Sequence, residues 1–105
     1  MTENEFARRF PALNGALGAL ADSTGATDVQ IAREAVGISF KRKEQGRKMI
    51  VALLQECNVF LSFLPDEWDA LAAASNRRFD GPNDARDWLI SMMTCWETLL
   101  RELDR

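Results

Sequence analysis

Histidine is absent from the 105 residues of this chain, and so is tyrosine. Histidine is the commonest general base, a frequent metal ligand and the orienting member of nucleophilic triads. Its absence therefore removes the most frequent catalytic and metal-binding arrangements together. We expect a protein that is not an enzyme and that uses no cofactor and no metal.

Glycine-rich phosphate loops are missing as well. Gly15 and Gly18 fall inside a helical pattern with no strand before them, so they form neither a Walker-type nor a dinucleotide-binding motif. Carboxylates remain, but a catalytic acid pair needs a pocket that separates two pKa values. No pattern in the sequence indicates such a pocket.

Cysteine is scarce, and the two present, Cys57 and Cys95, form no CxxC pair. Both lie on apolar helical stripes, which is typical of buried thiols in a reducing compartment. Residues 1–10 have the pattern of a capped helix start and not that of a secretion signal. We therefore expect a cytoplasmic protein.

Long apolar runs are also lacking. The most apolar stretch, 49–64, is 16 residues long and contains Gln55, Glu56 and Asn58. A helix needs about 20 apolar residues to cross a bilayer. The stretch is predicted to be a core helix, and no membrane is expected among the partners.

Strand patterns are scarce too, because no Asn-Gly or Asp-Gly turn joins two β-branched runs. The turn-forming pair Asn14-Gly15 lies inside a helical pattern, and Asp80-Gly81 lies between two of them. The chain is therefore predicted to be all-α. Its length fits a single helical domain, 1–105.

Capping and stop signals divide the chain into a bundle of four to five helices. Thr2 and Glu5 form a capping box, and Pro11 is expected to kink the helix that follows. An interruption is expected between 37 and 46, because one helix spanning 28–64 would be far longer than a domain of this size is wide. The predicted helices are 3–21 (kinked near Pro11), 28–38, 47–63, 66–77 and 84–103.

Each predicted helix carries apolar residues at steps of three and four. In the helix 47–63 these core residues are Ile50, Leu53, Cys57, Phe60 and Leu64. The last helix is apolar around more than half its circumference, with three residues off the edge of its stripe: Ile90, Met93 and Leu100. They are either further core residues or an interface, for a homodimer or for a partner groove.

Charge is segregated along the chain, whose net charge is −3. Residues 1–55 hold eight basic and six acidic side chains, and residues 56–105 hold five and ten. The basic segment 41–48 contains Lys41, Arg42, Lys43, Arg47 and Lys48. It is either a solvated edge or a patch that attracts phosphate or an acidic protein surface.

Nucleic-acid binding through this segment is the alternative function. Residues 31–39 resemble the front of a helix-turn-helix, but Ala32 and Gly37 are five residues apart, where that motif needs four. The acidic pI of about 4.9 also differs from the basic footprint of such domains.

The acidic second half offers a different surface. Its six acidic candidates for partner binding are Asp66, Glu67, Asp69, Asp80, Asp84 and Asp87. They are either ordinary charges near helix N-termini or a surface that covers basic groups on another protein. Catalytic residues are not assigned.

Size, acidity and helix content together resemble the profile of small bacterial or phage proteins that act by binding, such as toxin-immunity proteins, phage-encoded inhibitors and secretion adaptors. This is a likeness of class and not of any motif. It implies a small non-enzymatic regulator or inhibitor that binds another protein through a charged surface.

Overall fold

A computed structural model describes residues 1–22 and 43–103 of the chain, without the side chains of 19–22 and 43. Within those ranges the chain forms four helices and no strand, so the all-α prediction is confirmed there. The helices are α1 (Glu3–Arg9), α2 (Pro11–Asp22), α3 (Lys43–Ser75) and α4 (Pro82–Leu103). The predicted helix 28–38 lies outside the described residues.

Helix α3 organises the fold, because it packs against each of the other three helices. Its predicted stripe is buried without exception: Ile50, Leu53, Cys57, Phe60 and Leu64 are each at most 1% exposed. These residues recur at steps of three and four, so they share one face of the helix. Trp96, which is fully buried, is the largest side chain that α4 adds to the core.

The predicted kink near Pro11 is a complete break between α1 and α2. Phe10 leaves the helical region, with φ −130° and ψ 62°, because a residue before proline is pushed away from it. Proline then takes the first position of α2, where its missing N–H costs nothing. Phe6 and Phe10 lie one helical turn apart at the end of α1, and both meet Phe60 edge to face, with ring centroids 5.4 Å apart.

The N-terminus of α2 is capped by a residue from another helix. Phe10 has no side-chain acceptor, and Glu56 of α3 takes its place. One carboxylate oxygen, Oε1, accepts from the amides of Ala12 and Leu13 at 3.0 and 3.2 Å. Glu56 therefore lies within an apolar stretch because the positive end of α2 needs an acceptor there.

The predicted division between the helices 47–63 and 66–77 is present in the structure as a kink within α3, where two helical parts meet. The helix kinks at Glu67, where φ is −121° and ψ is 19°, two residues after Pro65. Proline removes one backbone hydrogen bond and clashes with the preceding turn, which bends a helix without always ending it. We call residues 68–75 the distal arm of α3.

Helix ends also differ from the predictions. Residues 43–46 are already helical, so the expected interruption does not extend through them. The distal arm stops at Ser75 because Asn76 adopts the left-handed conformation, with φ 53°. Helix α4 starts at Pro82, two residues before the predicted boundary.

One helix is long and apolar enough to cross a membrane by length and composition. Within Glu44–Ser75 the most apolar window has a mean hydropathy of 1.3, and 28% of it is buried. The apolar run by itself is shorter than a bilayer needs, but α3 extends beyond it on both sides. The absence of a membrane partner therefore stays a prediction.

We predict that Glu56→Ala lowers the free energy of unfolding by about 1–3 kcal/mol, because two amides at the start of α2 lose a charged acceptor. Urea denaturation followed by circular dichroism measures this change. The exposed neighbour Gln55 gives the matched control, and Gln55→Ala is expected to change stability by less than about 0.5 kcal/mol. Equal effects of the two substitutions would contradict the capping role.

Candidate functional site

Three of the six acidic candidates lie at the kink of α3, and we call Asp66, Glu67 and Asp69 the kink group. Asp66 and Asp69 are exposed, whereas Glu67 is half-buried. Its Oε2 accepts a hydrogen bond from the Met1 amine at 2.7 Å. Through Glu67, the kink group thus joins the Met1 amine to the kink of α3.

The surroundings of this amine are negative. Its pKa lies above the ordinary value of 8.0, chiefly because of the hydrogen bond to Glu67 and of that carboxylate's charge. Glu5 and Asp69 raise the pKa further, while burial lowers it. Three carboxylates therefore act on one ammonium group.

The other three acidic candidates lie at the turn into α4, and we call Asp80, Asp84 and Asp87 the turn group. All three are exposed. Asp84 also has a local structural role, since its Oδ2 accepts from the amide of Asp80 at 3.0 Å. The two groups sit at different points of the fold, one at a kink and one at a turn.

An aromatic pair lies beside the turn group. The rings of Phe79 and Trp88 are 5.6 Å apart and tilted by 49°, and both side chains are half-buried. Phe79 is a contact that the sequence analysis did not single out. Phe79 lies between the distal arm and α4, and the fold of this connection brings its ring against Trp88.

The basic segment is described in part. Lys41 and Arg42 lie outside the described residues, and so does the side chain of Lys43, whose backbone begins α3. Arg47 and Lys48 are exposed in the first two turns of this helix. Residues 43–48 are therefore helical and do not form a loop.

The three residues at the edge of the α4 stripe have different surroundings. Ile90 is 39% exposed and Leu100 is half-buried, but Met93 is only 8% exposed and belongs to the core. Met93 accordingly presents little surface to a partner. Ile90 is the member of the set most available for contact.

Neither cysteine forms a disulfide. Cys57 is fully buried, and burial raises the pKa of its thiol to about 12, with a smaller contribution from the charge of Glu56. Such a thiol is almost entirely protonated near neutral pH and is a poor nucleophile. Its role is packing within the α3 stripe.

Metal-ligating residues do not cluster in the ranges 1–22 and 43–103, where no three His, Cys, Asp or Glu side chains could hold one ion. The structure does contain a cleft of about 430 Å³ between α1 and the distal arm. The cleft was not predicted from the sequence, because the shape of the cleft depends on the angle between two helices. The only sequence signal was the run of alanines at 70 and 72–74.

Comparison with known proteins gives no relative from which a function could be transferred. No family model matches the chain, and no curated protein or solved structure matches it significantly. Function is therefore inferred from the surface of this molecule alone.

We predict that stability falls as the pH rises above about 8, because the Met1 amine has a raised pKa in the folded protein. Its stabilising contribution is complete below the unfolded value of 8.0 and is lost as the pH passes the raised value. Glu67→Gln removes the main cause of the shift and should flatten this dependence. Unfolding curves between neutral and alkaline pH measure it.

The exposed neighbour supplies the control, because Asp66→Asn removes an equal charge without touching the hydrogen bond. Ionisation of Cys57 affects wild type and variants alike, so it cancels when their curves are subtracted. A Glu67→Gln profile parallel to that of wild type would show that the ion pair does not stabilise the fold.

Proposed function

We propose that this chain is a small non-enzymatic regulator or inhibitor that binds another protein through its acidic second half. The observation that carries the proposal is the exposure of five carboxylates on a helical scaffold: Asp66, Asp69, Asp80, Asp84 and Asp87. A surface of this sign attracts and orients a basic partner. An immunity-like or adaptor-like role of bacterial or phage type is the finer form of the same proposal.

The composition of the core supports binding over catalysis. Among the described residues, the buried side chains are apolar apart from Ser75, whose hydroxyl donates to the carbonyl oxygen of Leu71 at 2.8 Å. Polar chemistry is thus concentrated on the outside of the described part of the molecule. There, charges act by complementarity with another surface, which gives specificity and fast association.

Nucleic-acid binding through the 41–48 segment is the competing proposal. Arg47 and Lys48 are exposed on α3, which is compatible with contacts to phosphate. The net charge of −3 opposes it, because a polyanion is repelled at long range by an acidic protein. The charged surface of the second half favours the protein partner.

Charge reversal tests the proposal in two separable parts. The kink variant carries Asp66→Lys and Asp69→Lys, and the turn variant carries Asp80→Lys and Asp87→Lys. Asp84 stays unchanged because its carboxylate holds the turn. We expect at least one variant to bind a protein captured from the source organism at least tenfold more weakly than wild type, as measured by calorimetry.

The matched control carries Glu44→Lys and Glu97→Lys, which change the net charge equally at two exposed positions outside both groups. It should bind the partner almost as well as wild type does. Unchanged binding by both the kink and the turn variant would refute the acidic surface. Salt-sensitive retention on duplex DNA that Lys48→Glu abolishes would favour the alternative.

A further inference from the structure

The cleft between α1 and the distal arm of α3 differs from the rest of the surface in shape. Its volume of about 430 Å³ falls in the range of roughly 300–1,000 Å³ that is common for pockets that bind small groups. It is lined by both helices and by Asn14 of α2. The residues of α1 and α3 that line it include Glu3, Phe6, Ala7, Asp69, Ala70 and Ala73.

The α3 wall of the cleft is formed by small side chains. Ala73 and Ala74 lie one helical turn beyond Ala70 on the distal arm, and each of the three is at least partly exposed. Alanines on this wall leave an apolar surface that another chain can approach closely. The aliphatic part of a long side chain fits such a surface.

The rim of the cleft is acidic. Glu3 and Asp69 line it and are exposed, and the Met1 amine that also borders it is paired with Glu67. Glu5 and Asp69 act electrostatically on the same amine. Three carboxylates thus act on one ammonium group, and together with the exposed Glu3 they leave an excess of negative charge around the apolar wall.

We propose that this cleft receives an arginine side chain from a basic segment of the partner protein. The methylene groups lie on Ala70 and Ala73, and the guanidinium meets the carboxylates of Glu3 and Asp69. This assignment rests on the proposed function, since it names the kink group as the side of the molecule that recognises the partner.

Arginine fits this combination better than other cations. Its aliphatic stem covers apolar surface while its planar head donates several hydrogen bonds to carboxylates. Arginine is also enriched in protein interfaces, where residues in pockets carry much of the binding energy. The cleft supplies both an apolar wall and carboxylate acceptors within one concave site.

The probe for this site is a capped hexa-arginine peptide, titrated into the ¹⁵N-labelled full chain at physiological salt and followed by NMR. We expect saturable shifts centred on the amides of Asn4, Ala7, Ala70 and Ala73. A hexa-citrulline peptide has the same shape without the charge, and it should produce no such shifts.

Two pairs of variants separate the cleft from general acidity. Ala73→Leu fills the cleft at an exposed position and should raise the Kd for the peptide at least tenfold. Ser91→Leu adds the same side chain at an exposed position of α4 and should leave the Kd unchanged. Asp69→Asn should weaken binding severalfold, and Asp87→Asn, which removes an equal charge at the turn, should change it less than twofold.

Shifts that are absent from the cleft, or binding that Ala73→Leu leaves intact, would overturn this assignment. Equal weakening by Asp69→Asn and Asp87→Asn would overturn it too. If partner capture still depends on the acidic groups in that case, the proposed function survives and only the cleft fails. If capture is indifferent to every charge reversal while the peptide occupies the cleft, the proposed function fails instead.

Discussion

The buried stripe of α3 is the constraint on which the other elements depend. Its five residues are almost fully buried, and α3 packs against each of α1, α2 and α4. Because propensity alone gives a helix little stability, α3 depends on this packing. Phe60 is central, because the rings of Phe6 and Phe10 both pack against its ring.

Charged groups within this scaffold divide into those that hold the fold and those that face solvent. Glu56 caps α2, Glu67 pairs with the Met1 amine, and Asp84 holds the turn. Most of the remaining acidic candidates have no such structural role and lie on the surface. The proposed function is accordingly based on the charged groups that face solvent. Both kinds of charged group occur at the cleft, since Glu67, which is paired with the Met1 amine, and the exposed Asp69 act on the same amine.

The sequence predicted the parts of this fold that local patterns determine. The Thr2 N-cap, an interruption at Pro11 and the whole α3 stripe are present as expected. The predicted boundary between 63 and 66 is present as the kink at Glu67, and Leu71 beyond that kink packs into the same core. The exposure of the aspartates followed from their charge. The cleft and the partner of Glu56 did not, because both depend on how helices approach one another.

A comparison of two adjacent residues tests most directly whether the α3 stripe supports the whole fold. Phe60 is fully buried and Val59 is 53% exposed, although they are neighbours on one helix. Phe60→Ala should lower the free energy of unfolding by about 3–5 kcal/mol. Val59→Ala should change it by less than about 0.5 kcal/mol. Similar losses from both substitutions, measured by urea denaturation, would contradict the central role of this buried face.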